Sequence, residues 1–211
     1  MSFTANHVWA LAVAAQRING EYVKEDQWHS KPGQESQLVK TANKKLVKQW
    51  LREGTNPATL DDTLKGEEAR SYFKTFLMRE LSGKINEFER TALKIAQKEE
   101  FTSRDMYDFA VISCLPSVAV RDKQRQEIKR EVYMSEPLKG NLGDEIVGSI
   151  NVIKSSYSQN YNKWNIQARM GESFINFWFS KELRGELRVK GKIKTFRDDK
   201  TTQLNYVKII G

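Results

Sequence analysis

The spacing of apolar residues changes once along this chain, and that change limits the fold more than any other feature. In the first part apolar residues recur every three or four positions, as Val8, Leu11, Ala12 and Ala15 do, which is typical of one helix face. In the last third they alternate with polar residues, which is typical of half-buried β-strands. Between the two patterns lies a segment with a proline and a glycine. We therefore predict a helical domain over 1–134, a linker over 135–142 and a β domain over 143–211.

The first part predicts a series of helices separated by turn residues. Asn6 and Ser36 are candidate N-caps, because their side chains can accept a hydrogen bond from the first turn. Pro116 should end the fifth helix, because the residue before a proline disfavours the helical conformation. Helices are expected over residues 8–18, 38–51, 67–81, 85–96, 106–115 and 118–132.

The last third predicts a barrel. Strands are expected over residues 145–154, 163–170, 173–180, 186–197 and 201–210. A flat sheet of these five strands with one covered face buries too little apolar area, whereas a closed barrel buries more and has no exposed edge. A five-stranded Greek-key barrel of this size is the oligonucleotide/oligosaccharide-binding (OB) fold. The predicted fold class is α+β with two domains, a helical domain followed by a five-stranded OB-like β-barrel.

Positive charge is concentrated in the predicted barrel. The formal net charge is +8, and residues 141–211 hold 12 Lys or Arg against seven Asp or Glu. One third of the chain thus carries a net charge of +5, against +3 for the other two thirds. An excess of this kind favours polyanionic partners such as nucleic acid.

One strand carries a stripe of cations. Alternation places Arg188, Lys190, Lys192 and Lys194 on the same face, in a row of roughly 20 Å at about 3.3 Å per residue. Four like charges in a row repel each other, and a phosphate backbone would relieve that repulsion and release counterions. A solvated strand face is the alternative interpretation.

The strand over 173–180 is rich in aromatic residues. Alternation assigns Ile175, Phe177 and Phe179 to the core, so that Phe174 and Trp178 lie on the opposite face. In such barrels the second and third strands form the ligand platform, and bases stack on exposed rings. The alternative is that this second face is also buried, by the helical domain or by a second copy of the chain.

A polar loop over 155–162 joins the first two strands and contains two tyrosines. Loops at this position bind ligands in the OB fold. Together with polar residues of the second strand, these features define the candidate nucleic-acid-binding residues: Tyr157, Tyr161, Lys163, Asn165, Arg169, Phe174, Trp178, Arg188, Lys190, Lys192 and Lys194.

Short stretches of the β domain carry a resemblance to a known class of protein. They are Gly143–Gly148 (GDEIVG), Lys154–Ser158 (KSSYS), Val189–Lys194 (VKGKIK) and Thr201–Lys208 (TTQLNYVK). The pattern resembles the small barrel modules of bacteriophage replication and single-stranded-DNA-binding proteins, over residues 143–211 only. The resemblance implies a phage protein that acts on single-stranded DNA in the cytoplasm of an infected bacterium.

No motif of an enzyme is present in the sequence. There is no His/Cys/Asp cluster with metal-ligand spacing, no phosphate-binding glycine loop and no nucleophile-elbow motif. We therefore predict no enzyme, no metal and no cofactor. The single cysteine, Cys114, cannot form an intrachain disulfide, which favours a cytoplasmic location. No apolar run is long enough to cross a bilayer, so we predict no membrane partner.

The leading hypothesis is a non-enzymatic, sequence-tolerant single-stranded-DNA-binding protein of DNA replication or recombination, whose helical domain recruits a protein partner. A second hypothesis is a protein-interaction adaptor, such as a replisome loader or an inhibitor of a host factor, in which Phe174 and Trp178 contact protein. RNA binding is the third, and a nuclease the fourth.

Overall fold

The chain folds into a helical part followed by a β-barrel, as the sequence predicts. The computed structural model describes residues 2–30 and 35–210. The chain divides into two compact units, with the boundary between Lys123 and Gln124. The predicted linker 135–142 belongs to the barrel unit, since the Glu136 amide donates to the Glu172 carbonyl (3.0 Å) and the Leu138 amide to Thr202 Oγ1 (3.2 Å). The structure therefore divides the chain earlier than the predicted boundary.

The helical unit contains seven helices and two small β-pairs within the described residues. In chain order the elements are β1 (Ser2–Thr4), α1 (Ala5–Asn19), β2 (Gln27–His29), β3 (Gln37–Lys40), α2 (Asn43–Glu53), α3 (Leu60–Lys74), α4 (Leu77–Leu81), α5 (Glu87–Gln97), β4 (Glu100–Thr102), α6 (Met106–Ile112) and α7 (Leu115–Met134), the last continuing past Lys123. Strand β1 pairs with β4, and β2 pairs with β3, both antiparallel.

Helix α1 forms the centre of the helical core. It begins after Thr4, whose side chain accepts a hydrogen bond from the His7 amide, and it ends at Gly20 in the left-handed conformation. Trp9 is fully buried in a cluster of apolar side chains from six of the helices. Helix α3 crosses close to α1 because Gly66 has no side chain: a Cβ there would lie 2.9 Å from the Trp9 carbonyl carbon.

Four local predictions for this unit are wrong. The helix predicted over 67–81 is two helices, α3 and α4, and α3 begins at Leu60. The N-cap of α1 is Thr4, not Asn6. The second helix does not begin after Ser36, because residues 37–40 form β3 and α2 begins at Asn43. The buried Asn43 side chain accepts from the Val23 amide (3.0 Å), a contact that the local sequence does not show. Pro116 lies in the first turn of α7, where the missing N–H has no helical partner to lose, so it does not end the preceding helix.

The barrel has five strands in the closed order β5-β6-β7-β9-β8. They are β5 (Glu145–Ser158), β6 (Lys163–Met170), β7 (Ser173–Phe179), β8 (Gly185–Phe196) and β9 (Thr202–Ile209). All neighbours are antiparallel except β7 and β9, which are parallel. The predicted OB-like barrel is confirmed. Strand β5 is longer than predicted, and half of the expected loop 155–162 belongs to it.

Alternation along the strands fills the barrel with apolar side chains. Val189 and Ile193 of β8, Ile175 and Phe177 of β7 and Leu204 of β9 are all buried there. The residues between them on β8 face outward, so the barrel exterior is where charged residues accumulate. Within residues 2–30 and 35–210, no helix has the length and apolar character needed to cross a membrane.

Candidate nucleic-acid interface

The outer surface of β8 and β9 carries five cations, which we call the cationic face. Lys190 lies opposite Lys208 in the β8–β9 register, and both lie outside the barrel. The buried residues Val189 and Ile193 alternate with them along β8. The stripe predicted from the sequence therefore lies on one side of its strand, and β9 adds a cation that was not predicted. The cationic face consists of Arg188, Lys190, Lys192, Lys194 and Lys208.

One of the five cations is held by an ion pair. Lys190 forms a salt bridge with Glu145 of β5, with 2.8 Å between Nζ and Oε1. The hydrogen bond from Lys190, together with the charges of Lys190 and Lys192, lowers the pKa of the Glu145 carboxyl. In the part of the chain that the structure describes, the other four form no salt bridge; they are Arg188, Lys192, Lys194 and Lys208. Most of this charge is therefore available to a polyanion.

A tyrosine that the sequence analysis missed lies on the cationic face. Tyr206 is 80% exposed and has a φ of 54°. The β8–β9 register shifts between Lys190 and Lys192, so two residues of β9 lie opposite Gly191 in a β-bulge. Val207 packs against the barrel core, and its neighbour Tyr206 projects outward. The cationic face thus includes an accessible aromatic ring.

The outer face of β6 and β7 is covered where it was expected to be open. Phe174 is 1% exposed, so the prediction that it forms part of an open platform is wrong. The reason is a non-local contact: the end of α7, which belongs to the barrel unit, lies over this face, and Glu131 pairs with Arg169 at 2.8 Å. Arg169 is therefore not a free cation. Asn176, between Phe174 and Trp178, is buried as well.

The remaining predicted residues lie beyond the covered region. Trp178 is partly exposed, and its ring centroid is 4.9 Å from that of Tyr161. Asn165 lies opposite Trp178 in the register, and Lys163 is exposed at the start of the same strand. These four residues form a small polar and aromatic surface.

Tyr157 lies apart from that surface. Its hydroxyl hydrogen-bonds to Asn162, and its ring centroid is 5.4 Å from that of Trp164, which packs against the barrel core. Its ring is 50% exposed and packs beside Trp164, and it does not belong to the Tyr161–Trp178 pair.

The cationic stripe and the aromatic strand do not lie together, contrary to the sequence interpretation. Strand β8 is hydrogen-bonded to β5 and β9, and to neither β6 nor β7. Outward side chains of β8 and β7 therefore leave the barrel on different sides. The candidate site divides into the cationic face with Tyr206 and the separate surface around Trp178.

The candidate metal ligands and the single cysteine are two further features of the described structure. Among residues 2–30 and 35–210, no group of three or more His, Cys, Asp or Glu side chains could hold a metal ion. Burial raises the pKa of the Cys114 thiol, which disfavours the reactive thiolate.

The fold and the site together define a two-part protein with a helical unit and an OB-like barrel that presents a cationic exterior. No protein-family model, no curated protein and no solved structure matches the chain.

Proposed function

We propose that the protein is a non-enzymatic, sequence-tolerant single-stranded-DNA-binding protein that holds the strand on the cationic face of its barrel. One observation carries the proposal: five cations lie on one exterior surface, and only Lys190 is paired within the described residues. The bacteriophage setting and the role in replication or recombination rest on the resemblance of residues 143–211.

The chemistry of the face favours a single strand. Phosphate groups would pair with the cations and release counterions, which gives affinity without sequence information. The bases of a single strand are free to stack on a ring such as Tyr206, and every base has a stackable face. In a duplex the base faces are already stacked on each other, so the ring would gain no partner.

A salt titration with oligo(dT) tests the proposal. Fluorescence anisotropy should show an affinity that falls linearly, on logarithmic scales, as salt rises. Replacing Lys192 and Lys194 by alanine should reduce the slope by about 0.7 for each phosphate that is no longer neutralised. The matched control replaces Lys139 and Lys181, two exposed lysines without a salt bridge in the described structure, which changes the net charge equally. Equal weakening by both pairs would show that the cationic face is not the site.

Protein binding is the second candidate, because the helical unit exposes apolar residues. Trp28, Leu38 and Val39 of the β2–β3 pair are all exposed, which is typical of a surface that contacts another protein. In the leading proposal this unit recruits a partner while the barrel holds DNA. A chain that binds neither oligo(dT) nor oligo(rU) at low salt would leave the adaptor function as the better explanation, and a preference for oligo(rU) would indicate RNA binding.

A further inference from the structure

A cleft of about 500 Å³ lies between the end of α7 and the outer face of β6 and β7. Phe174, Asn176 and Gln167 line it on the strand side, and Ile128 and Tyr133 line it on the helix side. Pockets that bind small molecules have volumes of about 300–1,000 Å³ and are mostly apolar with a few placed polar groups. The cleft has the size and composition of such a pocket.

Asn176 leaves a buried acceptor without a donor in this cleft. The residue is 4% exposed, and its Oδ1 has no hydrogen-bond partner among the described residues. An unsatisfied buried acceptor costs folding free energy, so its retention calls for an explanation. Gln167 lies directly opposite Asn176 in the β6–β7 register, so a second carboxamide is adjacent. A ligand that carries N–H donors on a flat edge would satisfy Asn176 Oδ1 and could also contact Gln167.

The mouth of the cleft carries more cations than carboxylates. Lys129 and Arg197 line it and form no salt bridge in the part of the chain that the structure describes. Lys200 also lines it and donates to the Tyr133 carbonyl at 3.2 Å. The free cations Lys129 and Arg197 suit a phosphate group.

Two carboxylates also line the mouth, those of Asp198 and Asp199 in the β8–β9 turn. The Thr201 amide donates to Asp199 Oδ1 at 3.0 Å, so this carboxylate closes the turn. A phosphate group would therefore lie toward Lys129 and Arg197 and away from the turn carboxylates.

We propose that the cleft binds one adenine nucleotide, either free AMP or the terminal nucleotide of a strand. The side-chain amide of asparagine or glutamine matches adenine in a bidentate manner, accepting from N6 and donating to N7. Asn176 and Gln167 supply that amide pattern, Ile128 and Tyr133 contact the base, and Lys129 with Arg197 contact the phosphate. The cleft is lined by the end of α7, β6, β7 and the β8–β9 turn, and by none of the five cations of the cationic face, so the two sites are distinct.

Calorimetric titration of the full chain with AMP tests the proposal. AMP should bind at least about five-fold more tightly than GMP, CMP or UMP, the lower limit for one bidentate contact. Adenosine and inorganic phosphate should each bind more weakly than AMP. Competition with 5′-phosphorylated oligo(dA), against oligo(dA) without the phosphate, separates a terminal nucleotide from the free nucleotide.

Asn176→Val is the informative variant, because it removes the carboxamide and keeps a residue that suits a strand. It should lower AMP affinity at least about five-fold and leave the thermal midpoint equal or higher, since the unsatisfied acceptor is gone. Asn151→Val, at an exposed outer position of β5, is the matched control and should change neither quantity.

Lys129→Ala with Arg197→Ala supplies a second variant at exposed positions, and it should weaken AMP while leaving adenosine binding unchanged. Absence of AMP binding by the folded full chain, or equal binding of all four nucleotides, would overturn the proposal. Lys192→Ala with Lys194→Ala should keep AMP binding, so failure of the cationic face and failure of the cleft are distinguishable.

Discussion

Tyr206 shows how a single residue changes what a strand presents to solvent. Leu204 is buried in the barrel, and uninterrupted alternation would place residues 206 and 208 inside with it. The bulge at Tyr206 adds one residue to β9, so that Lys208 joins the outer surface opposite Lys190. Strict alternation would bury Lys208 on the same face as Leu204, so the sequence itself indicated an interruption of the strand between them.

Replacing Tyr206 by alanine should weaken oligo(dT) binding by about 1–3 kcal/mol, the usual contribution of a ring that stacks on a base. The salt dependence should stay the same, because the substitution removes no charge. Anisotropy titrations at several salt concentrations measure both quantities.

Tyr107→Ala is the matched control, since Tyr107 of α6 is 69% exposed and lies in the helical unit. A Tyr206 variant with unchanged affinity would mean that the ring does not stack on the strand.

Strand β8 depends on a glycine at its bulge. A Cβ on Gly191 would lie 3.1 Å from Val207 Cγ2 and 3.4 Å from the Asn205 carbonyl oxygen, so the Val207 side chain would have to shift by a few tenths of an ångström. Gly191→Ala should therefore lower the free energy of unfolding by about 1–3 kcal/mol, as overpacking does. Urea unfolding followed by tryptophan fluorescence measures the change.

Gly171→Ala gives a comparison of a different kind, because that turn glycine has a φ of 58° and open space around it. Any loss of stability in Gly171→Ala should come only from the left-handed φ, which alanine disfavours, because no atom lies close enough to clash. If Gly191→Ala is as stable as the unaltered protein, the close approach at the bulge is not a constraint.

Elements with a strong local pattern could be predicted from the sequence. Strand β6 was predicted with its observed bounds, because Trp164, Ile166 and Ala168 alternate with polar residues and a tight turn follows. The start of α2 could not be predicted, because it depends on contacts of Asn43 with Val23 and Asn19, more than 15 residues away. The spacing of apolar residues predicts which face of a helix or strand is buried. It does not predict which other element packs against that face.

The candidate site follows the same division. Alternation placed the β8 cations on the solvent side, because their inward neighbours are apolar. It could not show that Phe174 lies under α7, since both faces of β7 carry large apolar residues. On β7, Phe174 and Ile175 are buried on opposite faces. The element that covers Phe174 is α7, which is distant from β7 in the sequence.

At the scale of the molecule, the barrel unit begins inside α7 and not after a linker. Residues 124–142 contact the strands in two ways. Glu131 forms a salt bridge with Arg169, and backbone amides of this segment donate hydrogen bonds to the Glu172 carbonyl and the Thr202 hydroxyl. A fragment over 124–211 should therefore be more stable than a fragment over 143–211, in which Phe174 loses its cover. Exposure of one such ring costs about 1.5–3 kcal/mol.

Urea unfolding of the two fragments, with binding of the dye ANS as a measure of exposed apolar surface, tests this prediction. The shorter fragment should unfold at lower urea and bind more dye. Equal midpoints and equal dye binding would show that the end of α7 contributes nothing to the barrel.

The closed strand order also determines which strand edges are unpaired while the barrel is being synthesised. Strand β9 lies between β7 and β8, so each of these lacks one neighbour until β9 has been made. The nascent barrel then presents two unpaired edges, which are templates for joining another polypeptide. The helical unit, which ends at Lys123, is made before the barrel strands. Newly made chains should therefore be most prone to misassembly before β9 has been made, when β7 and β8 each have an unpaired edge.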